Sequence, residues 1–427
     1  MISADTSMQS ASFRLKLFWF ANLIASIALG VYLVAFNWLT VKSYGAYGIS
    51  VTTIAYAIPQ TALVLFGGLT SDSINKQALY KICQLLYMGT GLALVLACIN
   101  NVPPLWFLGL ISFISGLTVA FSSPNKTSLI SDLVPETQIT ATQQIFFFAT
   151  GLGWVLGSIL ASHLLSLDDL YFKNPHGVLA FLVYVLGLIP SVFCVPKTLS
   201  TTQISDAGNS LGLRFKTALS DISAALLYLR SAFDIQVLMK MLAIVLVLGM
   251  PFTFLLSIYA HDHPMAQHSS KFFAHLYAAL GAGNLIGALI GIYITKSSFK
   301  QASLFVYFIF GLCTSAIAAL LMTEYWEIVA MILLAGLFTS LCTNLLKGLI
   351  QSQSRVDMRG RIAGFTQLLA GLSTMSAGLA GFVIHHLSNH ETNVYTAYET
   401  VQIILLGLLA VLTLISLPSI LKSNIRI

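Results

Sequence analysis

Polar side chains that could meet a ligand stand isolated inside long apolar runs: Asn22, Asn37, Gln60, Gln143, Gln144, Asn284, Asn344, Lys347 and Gln367. In hydrocarbon such groups are costly, so each must find a partner. For the amides that partner is either a neighbouring helix or a polar ligand in an internal cavity. Lys347 is the cation set deepest in a run, near one end of it. Its ammonium suits an anionic ligand or, by snorkelling, the lipid headgroups. Tyr32, Trp38, Tyr56 and Trp154 are candidates for aromatic walls around the same space, or for packing and lipid contact.

Groups for bond-making chemistry are missing from this inventory. All 15 acids fall in loops or near the ends of the runs, Asp234, Glu327 and Glu399 coming closest to the interior. No nucleophile has a base at useful spacing, and no glycine-rich phosphate loop or nucleotide-binding domain is present. The chain is therefore not expected to be an enzyme, and ATP is not expected to drive it directly. The nine histidines cluster in or near loops on one side, where they read as solvated residues. None of them, and none of the five scattered cysteines, shows a metal-ligand spacing, so no metal site is expected.

The elements that must position the polar groups are twelve apolar stretches, at 16–41, 46–68, 79–99, 104–124, 140–163, 177–196, 236–260, 271–295, 301–321, 327–350, 362–386 and 399–421. About 20 apolar residues cross a bilayer as a helix. Unpaired backbone is not tolerated in lipid, so helices are the expected form. Composition agrees: 57% of residues are hydrophobic and 8% are charged, against about 25% charged in soluble domains. Fold class is thus an all-α membrane protein of twelve transmembrane helices.

Charge placement sets the orientation. With both termini inside, only Lys42, Lys173 and Lys271 of the 21 Lys and Arg fall on the outer side. By the positive-inside rule the termini are cytoplasmic. The net charge of +6 is then topology, and no nucleic-acid partner is implied.

The expected organisation is a cytoplasmic tail (1–15), a six-helix bundle (16–196), a cytoplasmic linker (197–235), a second six-helix bundle (236–421) and a short tail (422–427). In the linker Phe215, Ala218, Leu219, Ile222, Leu226 and Leu229 recur at helical spacing, which predicts an amphipathic helix on the membrane surface. The halves look like diverged copies. Lys76-Gln77-Ala78 and Lys300-Gln301-Ala302 close the corresponding loops, and Asn125-Lys126 corresponds to Asn344 and Lys347. Two parallel six-helix repeats around a central cavity form one plan of secondary transporters.

The loop from Gly68 through Asp72 to Lys76 resembles the signature loop between helices two and three of the major facilitator superfamily. Asn75 stands for that signature's second glycine, which Asn tolerates because it visits left-handed backbone. Gln77 stands for its second basic residue. Phe121-Ser122-Ser123-Pro124-Asn125-Lys126 with Asp132-Leu133-Val134-Pro135, and the run from Gln351 to Gly364, are similar to the branch containing the enterobactin exporter. A lysophospholipid-transporter branch shares part of the first pattern. Gly153, Gly157 and Ala161 match a small-residue export motif in which Ser158 replaces the central proline.

The resemblance implies the major facilitator fold in a bacterial inner membrane, with Gly68, Asp72 and Lys76 forming a conformational latch in which Asp72 pairs with Lys76 or Lys126. It implies alternating access by a monomer carrying a small molecule such as a siderophore outward, without a cofactor and at the expense of a proton gradient. The helix-one aspartate common in that branch is absent at Ala28-Leu29-Gly30, so no proton carrier is identified. Uptake, drug efflux and lysophospholipid translocation are the competing activities.

Overall fold

Apolar runs of this length satisfy their backbone hydrogen bonds within themselves, and each of the twelve is mainly helical where the structure describes it. The structure is a computed structural model, and it describes residues 2–73, 75–99, 101–131, 133–134, 139–171, 176–196, 228, 232–264, 269–295, 302–355, 358–390 and 393–422. The helices are α1 (Ile2–Ser73), α2 (Lys76–Cys98), α3 (Leu105–Ser131), α4 (Ile139–Tyr171), α5 (Val178–Phe193), α6 (Phe233–Asp262), α7 (Ser270–Thr295), α8 (Ala302–Leu321), α9 (Tyr325–Gln353), α10 (Arg359–His390) and α11 (Val394–Lys422). Because α1 bends back as two spans, these eleven helices make twelve crossings. An even number puts both chain ends on one side, called here the terminal end; the other is the distal end. The linker's predicted amphipathic helix lies outside the described residues.

Two loops expected from the sequence are helix instead. No loop separates the first two spans: α1 is continuous except at Gly45, whose backbone (φ 59°, ψ −151°) reverses the chain in a single residue. Only glycine adopts that conformation without strain, and it does the work of a loop here. At the terminal end, helix continues through Gly68 and Asp72 to Ser73.

Asn75 is not left-handed either (φ −58°, ψ 108°). It caps α2, its side chain accepting from the Gln77 and Ala78 N–H groups at 3.0 and 3.3 Å. A short acceptor at this position satisfies N–H groups that the first helical turn leaves open.

The pairing of spans repeats after six crossings. The second arm of α1 packs on α3 as α7 packs on α9, and α2 packs on α5 as α8 packs on α11. The first arm of α1 packs on α4 as α6 packs on α10. That is the two-repeat architecture expected from the sequence.

Close approach within each bundle relies on glycine. A Cβ on Gly157 of α4 would overlap the Ile27 carbonyl of α1, and one on Gly283 of α7 would overlap the Leu333 carbonyl of α9. Small residues at membrane helix crossings bring backbones together in this way.

α6 is irregular. Its α-helical start gives way to a π-turn at Val245–Gly249, and it breaks again at Leu255. Pro251 has no N–H to give the Val247 carbonyl, and Ser376 Oγ of α10 donates to it instead at 2.9 Å.

Candidate functional site

The apolar core is divided unevenly between the two ends. One continuous cluster joins the distal parts of the first bundle (Val34, Leu39, Ile49, Leu94, Leu165, Phe181) to the second bundle (Leu242, Phe252, Phe273, Leu312). Near the terminal end the first bundle has its own cluster of Phe18, Tyr80, Leu129, Ile130 and Phe146. The bundles are therefore sealed together distally.

Three seams make that seal. Trp38 of α1 lies against His261 of α6 and Phe273 of α7, with ring centroids 5.7 and 5.1 Å away. Beside it Asn37 Nδ2 donates to Tyr277 Oη at 3.3 Å. The second arm of α1 follows α10 from Tyr47 on Phe382 and His385, through Ser50 on Gly381 and Ile54 on Gly378, to Thr61 on Gly371. α4 meets α7 where Gly151 faces Leu285 and Val155 faces Gly281. Toward the terminal end, among the described residues, no extended packing joins α3 to α9.

Helical phase shows which side chains turn away from the exposed apolar face of each helix. On α7 the exposed Ile286, Leu289 and Ile290 mark the lipid side, and Asn284 points about 170° away from them. On α4 the lipid side carries Leu156, Ile159 and Leu160. Trp154, 45% exposed, and Phe147 point roughly the opposite way. Gln143, half-buried, shares their phase one turn nearer the terminal end. On α10 Gln367 is exposed about 140° from Leu372, Leu379 and Val383. It stands one turn beyond Gly371, where the α1–α10 seam ends.

Across that seam Gln60 Oε1 and Thr61 Oγ1 are buried without a partner. Asn344 of α9 is exposed and bonds to Ser340 in its own helix at 2.9 Å, with Lys347 half-buried one turn on. Gln143, Trp154, Asn284 and Gln367 thus turn away from the apolar outer faces of their helices, and Gln60 lies at the α1–α10 seam.

Other sequence candidates lie elsewhere. Asn22 is buried between Phe18 and Ser26, on the part of α1 that packs on α4; its carbonyl accepts from Ser26 and its Nδ2 has no partner. Asn37 belongs to the distal seal. Tyr32 packs inside the first bundle on Tyr184, 4.6 Å between centroids. The side chains of Gly68, Asp72 and Gln144 lie outside the described residues. Lys76 opens α2, where its carbonyl accepts from Asn125 Nδ2 at 2.9 Å, while Gln77 Nε2 donates to the Pro196 carbonyl at 2.8 Å. These two bonds tie the terminal ends of α2, α3 and α5 together.

His163 and His386 are exposed, as the sequence suggests, but four other histidines are covered. His263 is 4% exposed, packed against Tyr259, Phe272 and Tyr395. His275 bonds to Tyr325, and His261 and His385 sit in the distal seams. Residues near a span end become solvated only where no second helix covers them, and here the two bundles cover each other. Among the described residues no group of three metal-ligating side chains comes together.

Sequence reading also passed over Ser257, Tyr398 and Gln402. All three are fully buried with side-chain atoms lacking partners. Gln402, an amide within an apolar run, was the signal available for them.

The arrangement matches known folds over nearly its whole length. A bacterial homolog of the human lysosomal transporter Spinster, in an inward-facing and occupied conformation, superposes with a TM-score of 0.69 at 13% identity, covering 97% of this chain and 99% of that one. The nucleoside transporter NupG gives 0.67 at 12% identity, covering 96% and 100%. A POT family transporter in complex with 5-aminolevulinic acid gives 0.68 at 14%, covering 96% of each chain. No curated protein matches the chain by sequence. The profile of the Major Facilitator Superfamily matches residues 18–378, and the chain belongs to that family of membrane transporters.

Proposed function

We propose that this transporter works by alternating access and moves a small, polar, oxygen-rich molecule outward across a bacterial inner membrane, its termini in the cytoplasm. The observation that carries this reading is the one-sided seal: the distal halves of the bundles share one apolar core, while inward-turned amides lie beyond the ends of the seams. A site closed on one side and approachable from the other is one of the two states such a cycle needs. The excess of Lys and Arg on the terminal side makes the open side cytoplasmic.

Ligand chemistry follows from the residues. Gln60, Gln143, Asn284 and Gln367 offer neutral donors and acceptors, Trp154 a flat aromatic face, and Lys347 a cation nearby. This set fits a flat, hydroxylated or anionic molecule, and the sequence resemblance to siderophore exporters names a chelator of that kind. Proton exchange supplies the energy for export. Among the described acids, Asp168 is engaged in capping α5 and is not the carrier.

The test compares spent medium and cell extracts by mass spectrometry under iron limitation, with and without the gene. A chelator lost from the medium and retained in the cells supports export. A chelator that lingers in the medium of the deletion strain reverses the direction to uptake. Unchanged chelator levels discard the siderophore and turn the search to drugs and lysophospholipids.

A further inference from the structure

A second polar region lies inside the C-terminal bundle, apart from the space between the bundles. Gln402 of α11 is 0% exposed, and both Oε1 and Nε2 lack partners. Tyr398 stands one turn earlier, on the same face of the helix, also 0% exposed and with its hydroxyl unbonded. Ser257 of α6 is a third fully buried residue with an unbonded hydroxyl.

Tyr398 and Gln402 stand one turn apart on one face of α11. The Tyr398 ring packs on that of Tyr259 of α6, 5.6 Å between centroids; Ser257 precedes Tyr259 by two residues, and Tyr277 lies on the neighbouring α7. All belong to the distal parts of α6, α7 and α11, at similar depth.

The backbone gives a separate indication. α6 breaks at Leu255, two residues before Ser257, and the Ile258 N–H turns back to the Leu255 carbonyl at 3.0 Å. Irregular backbone at membrane depth survives only where protein buries it or a wet cavity adjoins it. Side-chain amides and hydroxyls follow the same rule, since an unpaired polar atom in an apolar interior is costly.

The chemistry of the missing partner is constrained. Gln402 asks for one donor and one acceptor, and the two hydroxyls can supply either. The nearby charged groups are engaged elsewhere: Glu399 interacts with Tyr395, and Asp262 pairs with His261 at 3.0 Å. A cation would leave Gln402 Nε2 unsatisfied, and the distal parts of α6 and α11 carry no Lys or Arg to hold an anion.

We infer that Tyr398 and Gln402 together bind a neutral hydroxyl-bearing ligand, supplied either by ordered water or by a polyol. The inference is independent of the substrate and direction proposed above.

The experiment measures thermal melting of the full chain in lipid nanodiscs for wild type, Gln402→Leu and Tyr398→Phe. A liganded site predicts a lower melting temperature for the variants, by about 2 °C or more. Tyr398→Phe deletes one oxygen and decides the matter if Gln402→Leu does not fold. Glycerol, myo-inositol and ribose are then titrated. A stabilisation larger in wild type than in the variants assigns a polyol, and a lowered melting temperature with equal polyol responses assigns water. Melting temperatures at or above wild type would overturn the inference, because removing an unpaired polar atom from an apolar interior stabilises it.

Discussion

Asn37 of α1 and Tyr277 of α7 join the two bundles by a side-chain hydrogen bond of 3.3 Å, next to the Trp38–Phe273 ring contact. A neutral bond of this kind contributes about 0.5–1.5 kcal/mol. Tyr277→Phe should therefore raise the distally open population roughly 2- to 10-fold. A cysteine at Ser50, buried in the α1–α10 seam, reports it through faster alkylation by a water-soluble maleimide in the Tyr277→Phe background. An unchanged alkylation rate would remove this bond from the seal.

Gly157 sits where α4 crosses α1, and an added methyl group would strike the Ile27 carbonyl and the Gly30 backbone. Backbone cannot swing aside as a side chain can. Gly157→Ala should cost about 1–3 kcal/mol, seen as a lower melting temperature. Gly89, with open space around it, is the control: Gly89→Ala should hold or raise the melting temperature.

Asp168 is buried, and its carboxylate accepts from the backbone N–H groups of Gly177, Val178 and Leu179 at 2.6, 3.2 and 3.2 Å. It caps the start of α5 from the end of α4 and so fixes the distal turn between them. Asp168→Ala should destabilise the protein by about 2 kcal/mol. Asp168→Asn keeps one acceptor oxygen and should lose less. Chemical denaturation of all three proteins in the same detergent measures the order.

Burial holds the His263 imidazole below its ordinary pKa of 6.5, against a smaller opposing pull from a hydrogen bond with the Met322 backbone. The unfolded chain protonates this residue near 6.5 while the folded chain resists. Stability is therefore complete above pH 6.5, declines as the pH falls below it, and levels off once the folded state also takes the proton. The melting temperature should fall between pH 7.5 and 5.5, and His263→Gln should flatten that fall. Equal slopes for wild type and variant would show that other groups set the acid response.

The spans were readable because lipid imposes one length and one hydrogen-bonding solution on each of them. The break at Gly45 was not, since a single positive-φ glycine and a short polar loop look alike around Lys42 and Tyr44. The role of Asn75 was hidden for a related reason: the residue suits both a left-handed turn and a helix cap, and only the path of the chain selects the cap. The inward phase of Asn284 and Gln367 is a matter of helical periodicity, which the sequence contains. Their partners are not, because cross-bundle neighbours such as Thr61 and Gly371 lie far apart in the chain. His263 and His275 misled because closeness to a span end says nothing about what packs over it.

The central claim is that the distal seal opens as the terminal side closes. Spin labels on cysteines placed at Tyr47 and Phe382 span the distal seam, and labels at Ser123 and Gln351, both exposed, span the terminal side. Double electron–electron resonance in lipid nanodiscs at pH 7.5 and 5.5 gives the distance distributions of both pairs. The account predicts two populations for each pair, the distal distance lengthening as the terminal one shortens. A single unchanging distance at both pairs, or two distances that lengthen together, would contradict it.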